Sequence, residues 1–134
     1  MILVDTSVWI EYFRATGSAA ALEVRRLLSE EPDQVVTCEP IAMEILAGAS
    51  NEQTYRMLER LVNGLSSLGV ETATDFRSAA GIYRAARSTG QTIRSINDCL
   101  IAAVALRHHA RVAHRDADFE VIEGITGLMT TSLR

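Results

Sequence analysis

Lysine does not occur in this sequence: all thirteen basic side chains among its 134 residues are arginine. Every mechanism that needs a catalytic lysine is thereby excluded. Thirteen cations against seventeen acids leave a net charge of −4, so the chain lacks the basic excess that usually marks nucleic-acid binding. Net charge is a weak guide, however, where acids gather in one site and arginines in another. Cysteine is scarce. Cys38 and Cys99 are too few for a disulfide framework and fit a reducing compartment, with both side chains expected in the core. The two prolines, Pro32 and Pro40, fall at expected element boundaries. No apolar run reaches the ~20 residues of a membrane span. The opening MILVDTSVW carries Asp5 early and no basic residue, so no signal peptide is expected. Phosphate-binding glycine loops, internal repeats, linkers and low-complexity tracts are missing as well. What is present, 48% hydrophobic and 22% charged residues, suits one globular domain over residues 1–134.

The pattern along the chain alternates short apolar runs with helical periodicity. Met1–Asp5 reads as a buried strand ending in an acid, with Thr6 or Ser7 capping a helix over Val8–Arg14. Ala20, Val24, Leu27 and Leu28 give Ser18–Glu31 a helical stripe. Gln34–Cys38 is β-branched and strand-like, and Glu39–Ala49 follows as a helix with Pro40 in its first turn. Asn51–Leu65 and Thr72–Ser88 are two further amphipathic helices, separated by a short strand over Ser67–Val70. Thr92–Asn97 reads as a polar loop. Cys99–Leu106, apolar and alanine-rich, reads as a buried helix capped by Ser95 or Asn97. Arg111–Arg115 is a strand, Asp116 opens a helix through Ile122, and Thr126–Ser132 is a last strand. Strands alternating with helices predict a three-layer α/β sandwich around a mostly parallel sheet.

In such a sheet, sites form outside the carboxyl ends of the strands. Asp5 ends the first strand; Asp116 and Asp118 lie just past the Arg111–Arg115 strand; Asp98 opens the helix leading into it; Glu44 sits one turn into the helix after Cys38. Each acid alone has a structural explanation as a cap or a first-turn residue. Gathered on one rim they repel one another unless something positive binds among them. Oxygen-only ligands suit Mg²⁺ or Mn²⁺ rather than zinc. Two such ions about 4 Å apart clamp the attacking and leaving oxygens of a phosphodiester. Any phosphates beyond that rim must be met by arginine, and Arg14, Arg87, Arg94 and Arg115 are the best placed. His108 and His109 fit a helix C-terminus, and His114 fits a structural place in its strand.

Four segments, ILVDTSVWIEYF, EPIAMEILAG, IRSINDCLIAAVAL and HRDADFEVI, resemble in order and spacing the PIN-domain ribonucleases of the VapC toxin type, over essentially the whole chain. The resemblance implies a PIN-like α/β/α sandwich. It implies catalytic roles for Asp5, Glu44, Asp98 and Asp116, and metal ligation by Asp5, Asp98, Asp116 and Asp118. Thr6 matches a hydroxyl that helps fix the first carboxylate or a metal-bound water. Ser95-Ile96-Asn97 ahead of Asp98 is a departure, since a less polar lead-in is also common there, and Asn97 is read as a supporting polar group. The resemblance further implies Mg²⁺ or Mn²⁺, cleavage of RNA to leave 5′-phosphate and 3′-hydroxyl ends, and structured RNA, tRNA above all, as substrate. It also implies a homodimer, inhibition by a small VapB antitoxin, and a prokaryotic cytoplasmic location. Two other readings stay open: a PIN nuclease of RNA processing, and a non-catalytic PIN-like binding module. A receiver domain needs a lysine, a haloacid-dehalogenase-type phosphatase needs an acid where Ser7 stands, and a flap nuclease needs more helices than this length holds.

Overall fold

The computed structural model describes residues 1–134. The chain runs β1 (Ile2–Val4), α1 (Thr6–Phe13), α2 (Ala19–Glu30), a 3₁₀ turn (Pro32–Gln34), β2 (Val35–Cys38), α3 (Glu39–Ala47), α4 (Glu52–Asn63), β3 (Ser66–Leu68), α5 (Thr72–Ser88), α6 (Ile96–His108), β4 (Arg111–His114), α7 (Ala117–Ile125) and β5 (Thr130–Ser132). The five strands lie in the order β3-β2-β1-β4-β5, and every pairing is parallel. The sheet is therefore parallel throughout rather than mostly so. Each strand is only three or four residues long.

The strand order fixes where a site can form. From β1 the chain crosses to β2 and then β3 in one direction, and from β3 it returns past β1 to β4 and β5. Right-handed crossovers therefore put α1–α4 on one face and α5–α7 on the other. Contacts between α1 and α2, and of α5 with both α6 and α7, agree with this division. The reversal falls between β1 and β4, which makes the crevice beyond their carboxyl ends the topological switch point. Leu3, Val4, Val36, Val112, Trp9, Ile101 and Phe119 belong to a single buried apolar cluster between the layers.

Several ends differ from the sequence reading for local reasons. Asp5, not Thr6 or Ser7, is the N-cap of α1, its carboxylate accepting from the Ser7 N–H at 3.0 Å. Helix α6 begins at Ile96, inside the stretch read as loop. Its cap residue Ser95 makes no side-chain cap bond, and Asn97 lies within the helix. The donors there are met from α7 instead, as the Asp118 carboxylate accepts from the N–H groups of Arg94 and Ser95 at 3.0–3.1 Å. His109 closes α6 in the left-handed region (φ 57°), as its position at a helix end suggested. Only Thr130–Ser132 of the expected last strand pairs with β4.

Candidate active site

Four segments converge on the rim above β1 and β4. Asp5 is buried at the end of β1 and continues the ladder, its N–H donating to the Ala113 carbonyl at 2.9 Å. Its Oδ2 accepts from the Ser7 N–H and, at 2.6 Å, from the Ser7 hydroxyl. Its Oδ1 is buried with no hydrogen-bond partner. Asp116 caps α7, accepting from the Asp118 N–H at 2.9 Å, and its own N–H donates to His114 Nδ1 at 3.2 Å. Asp98 lies in the first turn of α6, buried, with Oδ2 unpartnered. Carboxylate oxygens of Asp98, Asp116 and Asp118 come within 4.8 Å of one another. Glu44, half-buried on α3, accepts from the Thr6 hydroxyl at 3.2 Å.

Electrostatics agree with the crowding. Burial foremost, then Asp5 and Asp116, pushes the Asp98 carboxyl up to about 9. Burial raises Asp5 too, against the opposing Ser7 hydrogen bonds and with a further push from Asp116. Glu44 is raised by burial and by Asp5, against hydrogen bonds from Thr6 and Asn97. Desolvation lowers His114, which keeps the imidazole neutral behind the acids. Burial also pushes the Cys38 and Cys99 thiols up, to about 12 and 11. Both are free and buried, inert core residues as expected.

Tested against a hard divalent cation, the residues fit. The donors are all oxygen, the set Mg²⁺ or Mn²⁺ prefers. Two of those oxygens, Asp5 Oδ1 and Asp98 Oδ2, are buried without a donor, an arrangement that costs free energy unless a positive partner answers it.

The structure redistributes the supporting roles. The Thr6 hydroxyl, expected to help fix the first carboxylate or a metal-bound water, donates to Glu44. Ser7 holds Asp5 and also accepts the Arg115 N–H at 2.9 Å, tying the ends of β1 and β4 together. Sequence reasoning missed Ser7, and only its place two residues after an acidic cap hinted at the contact. Arg115 does not turn to the acids. Its guanidinium pairs with Glu11 at 2.8 Å and with the Leu133 carbonyl, because Glu11 on α1 lies closer to hand than any carboxylate of the rim. Arg14 ends α1 and lines, with Thr6, Ile10, Glu44, Met57 and Leu58, a groove of about 420 Å³. Arg87 sits on α5 over the Tyr83 ring. Of the four expected arginines, Arg94 alone reaches the cluster, 3.4 Å from Asp116 and 3.8 Å from Asp118 with its side chain 75% exposed. Asn97 bridges α6 to α3 through the Pro40 carbonyl at 3.5 Å.

Comparison with known proteins gives the family. The sequence matches the PIN domain family over residues 2–125. It is 69% identical to ribonuclease VapC11 of Mycobacterium tuberculosis (strain ATCC 25618 / H37Rv), with 100% of both chains covered. It is equally similar to VapC ribonuclease Mb1587 of Mycobacterium bovis (strain ATCC BAA-935 / AF2122/97), again with 100% of both covered. In fold it is similar to VapBC2 from Rickettsia felis bound to a promoter DNA fragment, with a TM-score of 0.77 at 16% identity and 100% of both chains covered. It is also similar to FitAcB from Neisseria gonorrhoeae, with a TM-score of 0.76 at 24% identity, covering 98% of this chain and 97% of that one. No helix is long and apolar enough to cross a membrane. The chain belongs to the PIN-domain family and, within it, to the VapC ribonucleases.

Proposed function

We propose that this ribonuclease is the toxin of a toxin–antitoxin pair, a single-domain endoribonuclease acting in the bacterial cytoplasm on structured RNA, tRNA above all, with Mg²⁺ or Mn²⁺ as cofactor. The observation that carries the metal reading is the pair of buried, donor-free oxygens on Asp5 and Asp98 at the switch point. Asp5, Asp98 and Asp116 are the principal ligands, with Asp118 completing the set. A hard divalent cation bound there supplies Lewis-acid activation of water and neutralises charge on the scissile phosphate.

The chain's own groups do the rest. Ser7 fixes Asp5 Oδ2 and leaves Oδ1 to the cation. Asp118 holds the Arg94–Ser95 backbone and thereby the start of α6, which sets Asp98 against Asp116. Thr6 and Asn97 orient Glu44, the remaining catalytic carboxylate, at the mouth of the groove. Arg94, exposed and beside Asp116, meets a backbone phosphate of the substrate. The groove between α1, α3 and α4 accepts an amphipathic segment of a VapB-type antitoxin, whose arginine pairs with the acids and excludes the cation. The solved VapBC complexes of like fold favour such a partner. Exposed Met43 and Ile96 beside Leu100 suit a homodimer.

The test is cleavage of an RNA pool with mapping of fragment 5′ ends. Chelation with EDTA abolishes cleavage, Mg²⁺ or Mn²⁺ restores it, and the new ends carry 5′-phosphates concentrated in tRNA. Full activity after rigorous chelation overturns the metal reading, and ends spread outside tRNA overturn the substrate.

A further inference from the structure

An anionic protein that holds RNA needs a cationic surface, and the fold supplies one away from the acidic rim. Between Asp75 and Asp98 the sequence carries four cations, Arg77, Arg84, Arg87 and Arg94, and no acid. Other exposed arginines sit among acids of their own helix: Arg26 of α2 is ringed by Glu23, Glu30 and Glu31, and Arg56 and Arg60 of α4 are interleaved with Glu52 and Glu59. Helix α5 differs. Its one acid after the N-cap, Asp75, is buried and taken by Arg107 at 2.8–2.9 Å. Its buried face is Asp75, Ala79, Ile82 and Ala86, which leaves Arg77, Arg84 and Arg87 exposed. None of the three takes part in any ion pair or side-chain hydrogen bond of the protein; Arg87 lies over the Tyr83 ring at 5.1 Å.

We propose that the outward face of α5 is an RNA-backbone track, in which Arg77, Arg84 and Arg87 take successive phosphates and deliver the strand to the catalytic rim through Arg94. The inference rests on the ribonuclease reading above and names the surface by which that site holds its substrate. The three residues span about 15 Å along the helix at its usual rise. From the end of α5 the chain turns at Gly90 (φ 77°) and brings Arg94 to Asp116, so the row of positive charge ends at the acids. Arg87 gains from the helix dipole in the last turn, but Arg77 and Arg84 have no partner, and Arg84 and Arg87, one turn apart, repel. Phosphates are the partner that this placement fits, and guanidinium is the group that grips them in a fork. Stacking on Tyr83 holds Arg87 in place before RNA arrives, which reduces the ordering cost of binding.

The experiment compares wild type with the triple variant Arg77→Ala, Arg84→Ala, Arg87→Ala. Affinity for a fluorescent RNA of about 30 nucleotides is read by anisotropy across a salt series in EDTA, where nothing is cut, with a log–log slope of about −0.7 per phosphate contact as the scale. The expected result is binding weakened at least about tenfold at low salt and a slope shallower by about 2. Mn²⁺ affinity of the triple variant, read by calorimetry without RNA, stays at the wild-type value. Replacing the three by lysine restores the slope, and Arg84→Glu alone weakens binding, so the reading does not depend on one variant folding. Equal slopes in wild type and triple variant overturn the proposal. A lower sedimenting mass of the triple variant overturns it too, because the face is then an interface between copies of this chain. Should wild type bind RNA with the expected slope and yet cut none in any metal, the ribonuclease reading fails while the track stands.

Discussion

Asp98→Asn in the metal-free protein separates a ligand held ready for a cation from a helix-start residue kept for stability. Asp98 is buried and lies among Asp116 and Asp118. Burial, Asp5 and Asp116 hold its carboxyl at about 9, against an ordinary value of 3.8. Below pH 4 the folded and unfolded chains both keep the proton. Between pH 4 and 9 the unfolded chain releases it and the folded chain retains it, so stability falls as pH rises, at up to about 1.4 kcal/mol per pH unit. At pH 7 the burden has an upper bound of about 4 kcal/mol. Asparagine keeps the shape and has no proton to release, so the variant escapes this loss. Melting in EDTA, followed by circular dichroism, is expected to show the variant above wild type by at least about 5 °C at pH 7, given about 3–5 °C per kcal/mol for a chain of this size. The gap narrows toward pH 4. Saturating Mg²⁺ narrows the gap, because binding at 100 times Kd stabilises wild type by about 2.7 kcal/mol against a burden of at most about 4 kcal/mol, while the variant has lost a ligand. A variant that melts below wild type in EDTA at pH 7 refutes the reasoning and makes Asp98 a structural residue of α6.

Asp5→Asn and Asp116→Asn are each expected to lower the cleavage rate at least about 100-fold, the scale of losing a principal electrostatic stabiliser, in single-turnover assays. Asp118→Asn acts differently: it weakens the acceptor of the Arg94 and Ser95 N–H groups, so a loss of about 1–3 kcal/mol in urea unfolding accompanies a milder rate defect. Arg107→Ala strands the buried Asp75 carboxylate, now paired at 2.8 Å, and costs about 3 kcal/mol by the same measurement. Because Arg107 holds Asp75 below its ordinary value, that contribution is present at neutral pH and fades in wild type as acid protonates Asp75.

Much of the rim was legible because its signals are local. An acid after a short apolar strand marks both a cap and a sheet edge, which located Asp5 and Asp116. An acid in the first turn of an alanine-rich apolar helix located Asp98. The partners of these residues were not legible, because the fold makes them from distant positions. The Ser7 hydroxyl meets the N–H of a residue 108 positions later, and Asp118 caps a helix that begins 22 positions earlier. The partner of Arg115 was not legible for the same reason: its place beside Asp116 made it a candidate for phosphate, and only the fold shows that α1 presents Glu11 to its guanidinium. The acid-free run of arginines was visible in the sequence, but its exposure on one helix face became plain only with the fold.

Titration calorimetry of Mn²⁺ into wild type, Asp5→Asn and Asp98→Asn tests the metal centre most directly, since it reads the cation itself without RNA. Wild type is expected to bind, and each variant to bind at least about tenfold more weakly, a loss of about 1.4 kcal/mol or more. Equal affinity in all three proteins, or no binding by wild type, would contradict the assignment of the two donor-free carboxylates as the seat of the cation.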